Sequence, residues 1–519
     1  MLDQLLARAV QFGSLPRLAR VRQEPLARQA AVLRYLLGAA RGTAWGRRYG
    51  YQAGLSAAAF AARVPVGTYE QLYPELEKVL RGQPDVLWPG PAPRWQARSS
   101  GTTNARSKYL PLTPAALRDN HYRAGRDMLA LATHVYPAAR LLQGKTLSLG
   151  GSVGASPFDE AGAGGRLTGD VSALIMRQLP GWAQALRTPP LELALLDEWE
   201  EKIERIAAHV VRQDVRVLAG VPTWMLVLLR RVLTLAQADD LRQVWPRLGL
   251  FLHGAVAFGP YRPLFEQLMP GEQLRYLEIY NASEGYFALQ DEPDSADLLL
   301  LLDHGIYYEF LPSEQFDSPD PRPVPLEAVE LGRNYALVIS TSAGLWRYLV
   351  GDTVRFTSLR PYRVRVTGRT KHFLNAFGEE VIVENAEAAV AAAALATGLL
   401  VRDFTAAPVF FAAGPGSSRG GHEWAVELLT GPAPPDAADV AAFARHLDQA
   451  LRALNSDYNA KRHRDLALAP PRVHFVPPGT FEAWLRGRGR LGGQLKVPRL
   501  ANSRQVLEEV LLVAEGGGA

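Results

Sequence analysis

The sequence predicts an α/β fold in two parts. A large N-terminal domain of mixed and parallel sheets flanked by helices carries a β subdomain, and a smaller, mobile α+β domain follows it. Three observations support this. Strand, loop and helix alternate from Gly144 to about 290, the pattern of an α/β sheet with sites at its strand ends. From about 298 the apolar runs become short and are separated by turn residues. Past Arg369 the pattern returns to a short α+β alternation interrupted by the Pro-rich linker "TGPAPPD". A chain of 519 residues exceeds a single compact core. The boundary is placed so that 1–368 form the large domain and 369–519 the small one.

Each element has its own signal. Residues 1–90 read as helices with loops, and Leu2, Leu5, Leu6 and Val10 fit one docked face. "SKYLPLT" reads as a strand. The following helix starts at Thr113 as N-cap, with Pro114 at its first position. "GKTLSLGGSV" is a strand, and the Gly- and Ala-rich stretch 154–170 a loop. A helix spans "LLDEWEEKIERIAAHVV", and "VRVLAGVPTWMLVLLRRVLTLA" is strand, turn and helix. "LGLFLHGAVAF" is a buried strand ending in a Gly turn, and "LRYLEIYNASEGYFALQ" is strand, loop, strand. "LLLLLDHGIYYEFLP" reads as a hairpin turning at Asp303-His304-Gly305. In the small domain, strands fall near 400–412 and 423–429, a helix at 436–455, a strand at "RVHFVP" and a helix after Gly479.

Composition excludes several functions. The chain has no Cys, so disulfides, zinc–thiolate sites and a Cys nucleophile are ruled out. The apolar runs are too short for a membrane span, and the start lacks a signal peptide's charged head and cleavage site. The cytoplasm is therefore expected. A net charge of +5 is spread among interspersed acids, so no nucleic-acid partner is expected. Of 57 basic residues only Lys78, Lys108, Lys145, Lys202, Lys371, Lys461 and Lys496 are Lys. A compact ammonium inside a motif-like stretch therefore stands out against the Arg background.

One such stretch is "SSGTTNARSK", Ser99 to Lys108. Hydroxyls, backbone N–H groups and a Lys make an anion cradle suited to a polyphosphate. It is not a Walker motif. Gly144-Lys145-Thr146 lacks the upstream Gly, "GRGRLG" follows a helix rather than a strand, and "HEWAV" ends in Val426 where a second His is needed. Further along, "YNASEG" sets an aromatic, a hydroxyl and a carboxylate after a buried strand. "RYLVGD" ends a strand on Gly-Asp, "VTGRTKHFLNAFGEEVIVENAE" places Gly-Arg at a strand end, and "GGQLKVPR" holds Lys496.

This order of motifs resembles the acyl-adenylate-forming superfamily of firefly luciferase and the acyl-CoA synthetases. Over roughly 95–500 it is most similar to the Gretchen Hagen auxin-responsive family, the acyl acid–amido synthetases. The resemblance implies ATP and Mg²⁺ as cofactors, with a small carboxylic acid and an amine, an amino acid by preference, as substrates. It implies that Ser99, Ser100, Thr102, Thr103 and Lys108 cover the phosphates. Tyr280 would stack on adenine beside the Gly254-Ala255 backbone turn, and Ser283 would touch the α-phosphate. Glu284 would hold Mg²⁺, while Asp352 and Arg369 would meet the ribose. Lys496 would bridge carboxylate and α-phosphate in the transition state. Where the plant enzymes carry an Asp-Lys pair after the hinge strand, this chain has Glu379-Glu380, nearer the acyl-CoA synthetases. Transfer to a thiol of CoA or a carrier, or binding without catalysis, are the alternatives. Trp224, Met225, Tyr307 and Tyr308 are the candidates for the acyl pocket.

Overall fold

The computed structural model describes residues 2–99, 108–159, 165–196, 198–256, 258–259, 261–271, 273–293, 295–316, 318–370, 373–410, 420–429, 435–463, 467–487 and 497–516. The chain forms two compact units. The large one ends at Thr370, and the small one runs from Lys371 onward. Residues 256–265 cluster with the small unit although they lie more than a hundred residues before Lys371. A contiguous division of the sequence misses them. Within the small unit the Tyr261 hydroxyl, fully buried, donates to the Ala376 carbonyl.

The large unit is organised by a sheet of twelve strands among the described residues. One half is parallel and consists of Arg187–Thr188, Lys145–Ser148, Val215–Gly220, Leu250–Gly254 and Arg275–Ala282. Helices Trp199–Val210 and Pro222–Ala236 fall between those strands in sequence, as crossovers require. The other half is antiparallel. Gly285–Gln290, Leu298–Leu300, Tyr362–Arg369, Tyr348–Leu359, Asn334–Thr341, Ile306–Pro312 and Val324–Pro325 follow in spatial order. A second sheet holds the antiparallel hairpin Trp95–Ser99 and Lys108–Leu112, with Leu167–Gly169 and Val153–Ala155 beyond it. Two paired strands thus fall within or at the edge of the stretch 154–170 read as a loop.

The hairpin expected at Asp303-His304-Gly305 does not form. Leu298–Leu300 pairs with Gly285–Gln290 and Tyr362–Arg369, whereas Ile306–Pro312 pairs with Asn334–Thr341 and Val324–Pro325. The turn's polar groups are taken by helices instead of closing a ladder. Gln29 donates to the Leu302 and Ile306 carbonyls at 2.8 and 2.9 Å, Arg123 to Asp303 at 2.7 Å and Asn120 to His304 at 3.0 Å. His304, fully buried, sets Nε2 2.9 Å from Asp127. The N-terminal helix Leu2–Gln23 differs too. Leu6 is exposed, and Leu15, Leu18 and Val21 do the packing.

Thr113 caps its helix as expected, accepting from the Ala116 N–H at 3.0 Å. A π-helical turn, Leu117–His121, follows. Such turns re-aim side chains, and here Asn120 exchanges two bonds with the Tyr286 backbone, at 2.7 and 3.0 Å. The helix is thereby fastened to the hairpin strand Gly285–Gln290.

In the small unit, strands Val401–Val409, Gly421–Leu428 and Arg472–Val476 form a sheet, and helices Val383–Thr397 and Ala437–Leu454 pack against one another. Glu427 accepts the Gly479 and Phe481 N–H groups at 3.0 and 2.9 Å, which starts helix Thr480–Gly487. No helix among the described residues is long and apolar enough to cross a membrane.

Two buried acids yield stability predictions. Arg347, at φ 43°, forks onto Glu309 with two 2.8 Å bonds and also donates to the Ala61 and Val64 carbonyls. Burial pushes the Glu309 carboxyl up and the guanidinium opposes it. Arg347→Met strands that carboxylate and is expected to destabilise the unit by about 3–5 kcal/mol, read as a lowered urea midpoint. The double variant with Glu309→Leu should recover most of the loss. Glu278 is raised by burial to about 7. An acid held above its unfolded value costs stability only once the unfolded state ionises. The cost is absent below about pH 4, grows from there to about 7 and is then constant at about 3 kcal/mol. Glu278→Gln should therefore stabilise the protein at pH 8 and not at pH 4 in thermal melts.

Candidate active site

The predicted site residues of the large unit converge from separate strands. Asp352 and Arg369 face each other across the ladder of Tyr348–Leu359 and Tyr362–Arg369. Arg369 Nε donates to Asp352 Oδ1 at 2.7 Å, and the Tyr280 hydroxyl donates to Oδ2 at 2.9 Å. Glycines at φ 95° (Gly351) and 146° (Gly368) adjoin the pair, in backbone that a side chain would strain.

Glu284 sits with half-buried Ser283 in the tight turn that joins Arg275–Ala282 to Gly285–Gln290, where Ala282 pairs with Gly285. The Glu284 carboxyl is 8% exposed. Burial pushes it up; the Lys108 and Arg369 charges pull it down, and Asp352 adds to the rise. The Tyr348 hydroxyl lies 3.4 Å from Glu284 Oε1. A cation would relieve the burial of this carboxylate, and one acidic oxygen completed by phosphate oxygens is the donor set Mg²⁺ accepts. The residues present fit that ion.

Lys108 pairs with Ser99, so the two described ends of the predicted anion cradle lie side by side. Ser100, Thr102 and Thr103 lie outside the described residues, as do Lys371 and Lys496. The Lys108 ammonium is buried 5.4 Å from the centre of the Tyr69 ring.

The Gly254-Ala255 turn is sterically compelled. A Cβ on Gly254 would stand 2.3 Å from the Ile279 carbonyl, and Ala255 takes φ 71°. Strain of about 1–3 kcal/mol at a non-Gly residue of this kind clusters at ligand sites. Tyr280 departs from the picture of a free stacking ring. It is 7% exposed, its ring centroid lies 4.9 Å from that of Phe287, and burial together with Asp352 raises its phenol.

The acyl-pocket candidates are not drawn together. Met225 packs toward Gly220, and Trp224 is buried on the same helix. Tyr307 and Tyr308 belong to the aromatic core. In the small unit Glu379 turns inward, accepting the Ala376 and Phe377 N–H groups at 3.1 and 2.7 Å and meeting His422 Nε2 at 2.8 Å. It shapes the turn where the plant enzymes carry Asp-Lys. Sequence reasoning missed Tyr348 and Tyr69. The signal for Tyr348 was its place inside "RYLVGD", although the strand's alternation is broken by a register shift between Leu349 and Thr353. Tyr69, on a distant helix, gave none.

Family models match along the chain: the GH3 family N-terminal domain over 14–274, the central domain over 299–369 and the C-terminal domain over 384–505. The indole-3-acetic acid-amido synthetase GH3.8 of Oryza sativa subsp. indica is 25% identical, across 92% of this chain and 89% of its own. The Arabidopsis thaliana synthetase GH3.3 is 27% identical over 51% of this chain and 46% of its own. Among solved structures, AtGH3.15 acyl acid amido synthetase in complex with 2,4-DB superposes with a TM-score of 0.58, at 20% identity, over 95% of this chain and 94% of that one. A 2-hydroxyisobutyryl-CoA ligase gives 0.51 at 14% identity, over 96% and 93%. These two likenesses are of fold. With its N-terminal model alone spanning half the sequence and all three in order, the chain belongs to the GH3 family.

Proposed function

We propose that this protein is an ATP- and Mg²⁺-dependent acyl acid–amido synthetase of the cytoplasm, which adenylates a small carboxylic acid and passes the acyl group to an amine, an amino acid by preference. The observation that carries the reading is the convergence of Lys108, Tyr280, Glu284, Asp352 and Arg369 in a family whose named relatives are amido synthetases.

The chemistry explains the arrangement. A carboxylate must approach the α-phosphorus of ATP, so two anions meet and cationic and N–H groups must offset their repulsion. Lys108 and the hydroxyls of Ser99, Ser100, Thr102 and Thr103 hold the phosphates, and Ser283 touches the α-phosphate. Glu284 would hold Mg²⁺, which would supply neutralisation of phosphate charge. Asp352 accepts the ribose hydroxyls, with Arg369 orienting it. Tyr280 offers adenine the ring face away from Phe287, beside the Gly254-Ala255 backbone. Lys496 acts when carboxylate and α-phosphate share negative charge. The oxygen of the acid bonds to phosphorus as pyrophosphate leaves. The amine then attacks the acyl carbon, AMP departs, and the amine's proton passes to solvent.

Acid-dependent exchange of labelled pyrophosphate into ATP tests the first half-reaction across a panel of acids, and mass spectrometry with mixed amino acids or CoA identifies the acceptor. A thioester product would replace the amide reading. Glu284→Ala should lower exchange by about 10²-fold or more, since charge held at the reacting phosphate is lost; exchange at the parent rate would remove Glu284 from the site.

Lys496→Ala should keep ATP affinity within a few-fold and cut adenylation on the order of 10²-fold, because a transition-state contact affects turnover rather than binding. The same variant given a synthetic acyl-adenylate should still form amide. Loss of ATP affinity would make Lys496 a ground-state ligand instead.

A further inference from the structure

We infer that Tyr69 is a positioning residue for the phosphate cradle, standing in for the strand that the edge of its sheet lacks and fixing the Lys108 ammonium over its ring. The inference rests on the reading that Lys108 meets the phosphates of ATP.

Lys108–Leu112 is the outermost strand of its four-stranded sheet. Such an edge presents backbone N–H and C=O groups without a neighbouring strand, and a protein must cover or solvate them. At Tyr109, one residue from Lys108, a single phenol hydroxyl does this. It accepts the Tyr109 N–H at 3.0 Å and lies 3.4 Å from the Tyr109 carbonyl. The same side chain supplies an aromatic face 5.4 Å from the Lys108 ammonium. Hydroxyl and ring therefore act on adjacent residues at the root of the cradle. Burial raises the Tyr69 phenol to about 12, so it remains a neutral donor.

Tyr69 is itself anchored. It opens helix Tyr69–Leu80, whose capping box joins Thr68 and Gln71. Just before it, Gly67 exchanges backbone bonds with Arg347 and Leu349 at 3.1 and 2.9 Å and bridges to Tyr348. Tyr348 is the residue whose hydroxyl points at Glu284. One short segment, 67–69, thus touches the strand behind the Mg²⁺ carboxylate and the strand carrying the phosphate Lys. It sets the spacing of the two charges that ATP must bridge. A cation held over an aromatic ring is favoured electrostatically by the ring's negative face. Its greater consequence here is geometric, because a long Lys stem loses less freedom on binding when it is already placed.

The test is calorimetric titration of the full chain with α,β-methylene-ATP and Mg²⁺, and separately with adenosine, in Tyr69→Leu, Tyr69→Phe and Lys108→Met. Tyr69→Leu should weaken the analogue on the order of tenfold, about 1.4 kcal/mol, and leave adenosine unchanged. Tyr69→Phe retains the ring and should restore analogue affinity to within about threefold of the parent, the residual reflecting the lost hydroxyl. Loss of structure alone would lower the fraction of sites that bind, or affect adenosine and the analogue alike; either result overturns the inference. Analogue affinity that falls in Lys108→Met and not in Tyr69→Leu overturns it while sparing the phosphate reading. Unchanged affinity in Lys108→Met overturns both.

Discussion

Burying a carboxylate is costly unless it is paired, and at half-buried Asp352 that pairing ties the large unit together. Its two oxygens are taken by Arg369, from the next strand, and by Tyr280, from the parallel half of the sheet. That single group therefore ties the antiparallel half to the strand bearing Tyr280. The tie also fixes chemistry. A carboxylate already oriented by a guanidinium and a phenol accepts further hydrogen bonds without reorganising.

Glu284 is treated differently. Its partner is a neutral phenol at 3.4 Å, and the cations that act on it do so through space. Desolvation is the dominant influence. A structural acid of this depth would be expected to carry a direct counter-ion, as Glu309 does with Arg347. Among the described residues, one buried acid of this unit is thus closed by a guanidinium, and the other meets a phenol.

The surrounding structure holds these groups by covering exposed backbone. Asn120 in a π-helical turn fastens the Glu284 hairpin, and the Tyr69 hydroxyl covers the edge of the Lys108 strand. Both come from helical segments, so the helices hold an interior strand and an edge strand in place as well as shielding the sheets. The strained turn at Gly254-Ala255 follows from the same crowding, since the Ile279 carbonyl leaves no room for a side chain.

The sequence by itself determined the alternation of strands and helices, the Thr113 cap, the strand–loop–strand around "YNASEG" and the residue types of the candidate site. These are local properties. Periodicity, turn chemistry and a hydroxyl-rich loop are written in contiguous residues, and the ordered motifs located Tyr280, Glu284, Asp352 and Arg369. Only the tertiary structure decided what depends on distant partners. Asp303-His304-Gly305 looks like a hairpin turn in isolation, yet Asn120, Arg123, Gln29 and Asp127 claim its polar groups and send the chain across the sheet. Residues 256–265 join the small unit, and Glu379 turns inward onto His422, through contacts that no window of sequence contains. The placement of Tyr69 over Lys108 is of the same kind, because a ring and a cation separated by a helix and a strand are brought together by packing alone.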